Sequence, residues 1–481
     1  MGSRTRPHAL PLFTLLASLT WSKRASAVEY DIDTQTLAQA WQWRSPWGGP
    51  VISRRTLNEL VTVSLVHRGG PRDPVARLHF RLRFDNDFGD ACDGIASRCL
   101  EETAPERRTD YVPGLVRRSI DLPYAYLDVS NLLRGALEAR VGRMVHVDAL
   151  GFFAFDGARL RVALGSYAIA EVYAGLEVRN GFALSSGRFE RDGVSRADRS
   201  SWPLSLAPSV KQNLYAPVVA AALETPAFLQ TFARATYRRV WTSEGIAEEK
   251  LGASVESSVH PLVQLSGRTV YSLPQRQLSE LRASVSVRTE RNSLRAEAQI
   301  QRIRPSFDLT AIWSAFWVDA VDEGSLTLIA VPSPSLSLRT WINARRYATA
   351  EGGPSLGAAS TADSWLGGGG TSVSYFPRRS LQLELRAQGE GAAFAARGGL
   401  DAQVLFAPWG QRLLFDARAS LWANHDPSRI ARSGAFSSLV AGASLALGPG
   451  VRLHADVQHD HSASVGHRIR VGLSLVIGVQ P

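Results

Sequence analysis

The chain has 481 residues, 45% hydrophobic and 20% charged, with 54 basic residues, 44 acidic ones and a net charge of +10. This balance excludes a disordered tract, and past the amino terminus no run reaches the roughly 18 to 20 unbroken apolar residues of a membrane-crossing helix. Setting aside the four basic residues of positions 1–27 leaves 50 basic against 44 acidic residues, net +6, too mild an excess to point to nucleic acid.

The first residues carry Arg4 and Arg6, then a short apolar core from Ala9 to Trp21, then Ala25-Ser26-Ala27. This is the pattern of a secretory signal peptide, predicted over 1–27, with Lys23 and Arg24 untypical so near the cut. The mature chain, 28–481, reads as a single domain, because no linker and no repeat of fixed period interrupts it.

Strand-like segments follow. In "RLHFRLRFD" Leu78, Phe80, Leu82 and Phe84 alternate with Arg77, His79, Arg81 and Arg83. Successive side chains of a strand go to opposite faces, so one face is greasy and the other basic. The next stretch, 85–102, is acidic, with Asp85, Asp87, Asp90, Asp93, Glu101 and Glu102 around Cys92 and Cys99. In an exported protein these two cysteines are expected to form a disulfide, contributing about 2.5 kcal/mol by loop closure. Crowded carboxylates on a loop suit calcium or simply water, and their spacing is not that of a helix–loop–helix calcium site.

Alternation returns with Glu138 and Arg140, with Glu171 and Glu177, with Arg295 and Glu297, with Arg339 and Arg345, with Glu384, and with Arg452 and Asp456 on the polar faces. The last segment runs Ile469, Val471, Leu473, Leu475, Ile477 and Val479 along one face. About 22 such segments fit between residues 35 and 479, within a range of 16–22. Connections alternate in length. Gly- and Pro-bearing turns at 165–167, 377–379, 408–411 and 448–450 fall at one end, and long polar loops near 86–122, 180–211, 305–324 and 348–369 at the other. Trp41, Trp43, Trp47, Trp241 and Trp422 stand at strand ends and Trp409 in a short turn, as membrane-interface rings do. Gly367–Gly370 reads as a flexible loop ahead of a strand.

Together these features predict an all-β fold, a large closed antiparallel transmembrane β-barrel with short periplasmic turns and long extracellular loops. The chain resembles a Gram-negative outer-membrane barrel. Its stretch Ala136–Leu164 is similar to one in porin-like and alginate-export-type barrels, where a strand ends in Gly-Arg, a compact loop follows and the chain returns near Phe-Asp-Gly. Gly142, Arg143, Phe155, Asp156 and Gly157 are the matching positions. One departure is the ending "VIGVQP", where such barrels often place an aromatic residue that helps insertion.

Chemistry beyond the polar face is sparse. His454, Asp456, His459, Asp460 and His461 are zinc-ligand types, but they read as a hydrated hairpin tip. There is no G-x-S-x-G, no H-E-x-x-H and no phosphate-binding glycine loop, so neither an enzyme, a metal nor a cofactor is expected. The residues expected to line a pore are Arg77, His79, Arg81, Arg83, Glu138, Arg140, Glu171, Glu177, Arg295, Glu297, Arg339, Arg345, Glu384, Arg452 and Asp456. The expected function is a porin-like channel in the outer membrane for passive diffusion or export of small solutes, with the local arginine excess favouring anions. Its expected partners are outer-membrane lipid and such solutes. The alternatives are a non-conducting barrel whose loops bind partners in adhesion, motility or envelope assembly and, last, a barrel hydrolase. Those charges also suit mutual pairing or an infolded loop, so an open and a plugged lumen both fit.

Overall fold

The computed structural model describes residues 28–44, 51–68, 73–87, 120–178, 216–225, 230–243, 245–304, 320–347, 364–392, 396–425, 434–462 and 466–479. They form a 22-stranded sheet. Its strands are β1 (Val28–Arg44), β2 (Val51–Arg68), β3 (Val75–Asp87), β4 (Ile120–Leu132), β5 (Leu137–Asp148), β6 (Gly151–Leu164), β7 (Ala168–Glu177) and β8 (Pro217–Glu224). There follow β9 (Thr231–Thr242), β10 (Gly245–His260), β11 (Val263–Ser272), β12 (Gln277–Arg288), β13 (Leu294–Ile303), β14 (Val321–Ser333) and β15 (Leu336–Tyr347). The last are β16 (Ser364–Arg378), β17 (Leu381–Ala392), β18 (Ala396–Phe406), β19 (Leu413–His425), β20 (Gly434–Gly448), β21 (Val451–Ser462) and β22 (Gly466–Val479).

Each strand pairs antiparallel with the next, and β22 returns to β1 from Ile32↔Val479 to Trp41↔Arg470. The sheet is therefore closed, which gives its edge backbone groups partners where a bilayer offers none. Between strands, the connections at the end where β1 starts hold two to six residues. Every longer one, including 88–119, 178–216, 304–320 and 348–363, lies at the other end.

Period-two patterning sets which side faces out. Leu78, Leu160, Val172, Leu326, Leu385, Leu400 and Val471 are all exposed on the outer surface, an apolar band that only lipid covers. An arginine turned to mid-membrane costs about 2–4 kcal/mol, which fixes Arg77, Arg81 and Arg83 on the inside. Rings mark both rims. Trp241 and Trp365 lie toward the long-loop end, and Tyr167, Tyr375, Trp409 and the stacked pair Phe406–Phe415 toward the short-turn end.

Several local expectations are corrected. β1 begins at Val28, not near 35, because Val28, Tyr30 and Ile32 already alternate with acids. Gly367–Gly370 is not a loop but part of β16, paired to β15 through Trp341↔Gly370 and Ile342↔Gly369. The strand after Gly142-Arg143 does not end there. β5 runs on to Asp148, and Ala149-Leu150 alone turns the chain into β6. Trp422 is not a rim residue, since it packs on Gly399 of the inner wall. His459 and His461 lie within β21, not in its tip. The signal segment, the 85–102 side chains, Cys92 and Cys99, and the long loops lie outside the described residues.

Candidate channel interior

The inner wall has two parts. In the first, β5 to β11, the sheet bends sharply inward. Gly142, Gly157 and Gly175 stand in register across β5, β6 and β7, all on the inward face. A Cβ on Gly157 would lie 2.1 Å from the Ala174 carbonyl oxygen, and one on Gly175 2.2 Å from that of Asp156. Only glycine permits this bend. On the opposite, outward face beside the row, Arg143 grips Asp156 through two hydrogen bonds of 2.7 and 2.8 Å.

The consequence appears across the fold. His146 of β5 meets Arg234 of β9 at 3.4 Å, although four strand spacings along a flat wall would separate them by about 19 Å. The β5–β6 turn reaches further. Arg268 of β11 donates to the Ala149 carbonyl at 2.9 Å, and Leu150 occupies the space beside Gly252 of β10 that a side chain there would fill. Met144, Phe153, Phe155, Tyr173, Val218, Val240 and Ala247 close up as a buried cluster, with the Phe155 and Tyr173 rings stacked at 4.8 Å.

One set of charges in this part is buried and paired. Arg234 donates to Glu171 at 2.6 Å and to Glu224 at 2.8 Å, and Arg161 reaches the other Glu224 oxygen at 2.6 Å. His146 lies 3.2 Å from Glu171 and 3.4 Å from Asp148, which also accepts from the Tyr173 hydroxyl. Arg238 donates to Glu248 at 2.8 Å and lies over the Phe153 ring at 4.3 Å, while Lys250 takes the second Glu248 oxygen.

In the second part, β12 to β22, the inward arginines are the exposed groups. Arg282, Arg339, Arg397, Arg418, Arg452 and Arg470 all face in and are exposed. Their acidic partners sit lower. Arg418 is 57% exposed and its partner Asp401 11%, and Arg470 is 46% exposed against 18% for Asp456. Arg397 with Glu390, Arg386 with Glu384, Arg295 with Glu297 and Arg345 with Glu323 repeat the order. The reason is reach, since a carboxylate on a short stem lies against the wall and the longer guanidinium extends past it. Two indoles cover glycines here, Trp341 on Gly370 and Trp422 on Gly399, with Arg339 and Arg386 within 6 Å of the Trp341 ring.

The sequence-predicted pore residues divide between these surfaces. Arg77, His79, Arg81 and Arg83 take the inward positions of β3, where His79 bonds Ser64 at 2.8 Å and packs on Tyr126. Arg140 donates to Asp128 at 2.6 Å and lies over the same Tyr126 ring. Glu138 lies 3.8 Å from Arg161, and Glu177 takes the same face as Glu171. Glu171 is sealed in the folded part. Arg295, Glu297, Arg339, Arg345, Glu384, Arg452 and Asp456 lie in the exposed part. Pattern reading missed Glu224, Arg234, Arg238 and Glu248. Glu224 stands directly opposite Arg234 on the paired strands β8 and β9, Arg238 and Glu248 are diagonal neighbours on β9 and β10, and the bend adds His146 and Glu171 to Arg234. The available signal was three inward glycines beside Phe153 and Phe155 on a face that is polar elsewhere.

A closed sheet of this size, with an apolar outer band and a charged interior, defines the class: a large transmembrane β-barrel of the outer-membrane type. No family model matches the sequence, and no curated protein matches it at a significant level. Among solved structures it is similar to Acinetobacter baumannii OccAB4, at 7% identity over 95% of this chain and 99% of that one, with a TM-score of 0.41. It is similar also to Pseudomonas aeruginosa OpdK with vanillate (9%, 94% and 99%, TM-score 0.44) and to a BenF-like porin from Pseudomonas fluorescens Pf-5 (8%, 94% and 99%, TM-score 0.45).

Proposed function

We propose that the protein is a diffusion channel for small anionic solutes, with its conduit along the β12–β22 wall. The carrying observation is the consistent order of exposure there, guanidinium outermost and carboxylate beneath. A solute in the lumen meets positive charge first. Opposite signs at unequal depth give a positive surface even where formal charges nearly balance. Arg77 and Arg81 extend the same surface from β3, and the guanidinium flanks of Trp341 add a flat apolar patch between charges. The folded β5–β11 part narrows the interior without closing the other wall.

The test is a planar-bilayer recording of the purified barrel under a KCl gradient. Chloride selectivity is expected, with Arg418→Glu plus Arg470→Glu moving the reversal potential toward cations. Cation selectivity in the parent would overturn the anionic reading. Folded protein without conductance would favour the scaffold whose loops bind partners.

A further inference from the structure

We propose that His459 and His467 form a two-imidazole site for a divalent transition-metal ion on the outer surface of the barrel, toward which His461 can turn. None of these side chains faces the lumen. His459 and His461 share the outward face of β21 with Val457, and His467 shares that of β22 with Ile469 and Val471. His467 stands directly opposite His461 and diagonal to His459. All three are exposed, at the long-loop rim of the apolar band.

His459 and His467 are near enough to share an ion once their rings turn, since their planes now lie within 15° of each other, their centroids are 5.3 Å apart and the two nitrogens face one another. His459 Nε2 and His467 Nδ1 are 3.1 Å apart. Two nitrogens each about 2.05 Å from one metal would subtend about 98° at that spacing, between square and tetrahedral angles. As the rings stand, His461 stacks on His467 with centroids 4.3 Å apart, so its nitrogen joins the pair only after the ring turns about its side-chain bonds. Two ligands on one strand at i and i+2, and one on the paired strand, are held by the ladder itself, so little backbone order is lost on binding. Neutral imidazole suits zinc, nickel and copper, whereas calcium and magnesium take oxygen ligands. The remaining coordination positions fall to solvent.

The experiment uses the full untagged chain, folded in detergent micelles, with Zn²⁺ titrated calorimetrically and Mg²⁺ as control. One Zn²⁺ per chain is expected, with no Mg²⁺ response. His459→Ala and His467→Ala each weaken Zn²⁺ binding at least tenfold, His461→Ala less, and the inward His454→Ala leaves it unchanged. Heat-modified gel migration checks that each variant is folded, which surface positions allow. No saturable Zn²⁺ binding by the parent, or one-site binding that survives the double replacement of His459 and His467, would overturn the proposal.

Discussion

The two parts of the inner wall obey one rule and end differently. In both, polar side chains alternate inward and aliphatic ones outward. Along β12–β22 that alone decides the outcome, and arginines stand exposed above their carboxylates. Along β5–β11 the inward face also carries Phe153, Phe155, Met144 and a row of glycines, and the wall folds until Arg238 and Glu248 are 3% and 4% exposed. A charged inner face therefore does not by itself make a conduit. What separates the two is whether the backbone is allowed to bend and whether apolar side chains are there to hold the bend.

The sharpest break in this contrast is expected at the buried charges. Arg234→Ala strips Glu171 and Glu224 of a common partner inside the folded part. Loss of one member of a buried pair costs about 3–5 kcal/mol, so urea unfolding of the micelle-folded barrel should shift by that amount. An unchanged midpoint would mean that water already reaches these carboxylates. The bend comes next. Gly157→Val forces side-chain atoms into the Ala174 backbone and should cost about 3 kcal/mol, read as loss of the heat-resistant gel form. Gly324→Ala in β14, where an added Cβ meets nothing within 4 Å, is the matched control and should migrate as the parent does. A smaller effect is expected at the turn. Leu150→Ala empties the contact with Gly252, lowers stability by about 2 kcal/mol and should raise single-channel conductance, since the β5–β6 turn lies inside the barrel. An equal or lower conductance would remove the turn from the conduit's boundary.

The same contrast explains what was legible in the sequence. Alternation and loop lengths located all 22 strands, because each depends only on neighbouring residues and on which end of the barrel a turn occupies. Residues such as Arg295, Glu297, Arg345 and Glu384 follow from that pattern, since alternation alone puts them on the inward face. The His146–Glu171–Arg234–Glu224 network does not. It joins β5, β7, β8 and β9 through a fold in the sheet, and no local period records a contact across four strands. Gly367–Gly370 was misread for the converse reason. Glycine runs signal loops by composition, yet here they leave room for the Trp341 ring on the inner face.

The smallest expected effect tests the open wall on its own terms. Arg418→Ala removes a guanidinium that is 57% exposed and lies 3.3 Å from Asp401. A pair so open to water contributes at most about 1 kcal/mol, and Asp401 keeps its 2.5 Å hydrogen bond from Ser420. Stability should therefore stay within that margin, while chloride selectivity falls, because the outermost positive charge is gone and the carboxylate beneath it is uncovered. If the replacement instead destabilised the barrel as strongly as Arg234→Ala, the two walls would not differ in hydration. The distinction between a packed part and a wet one would then fail at the residue where it is most exposed.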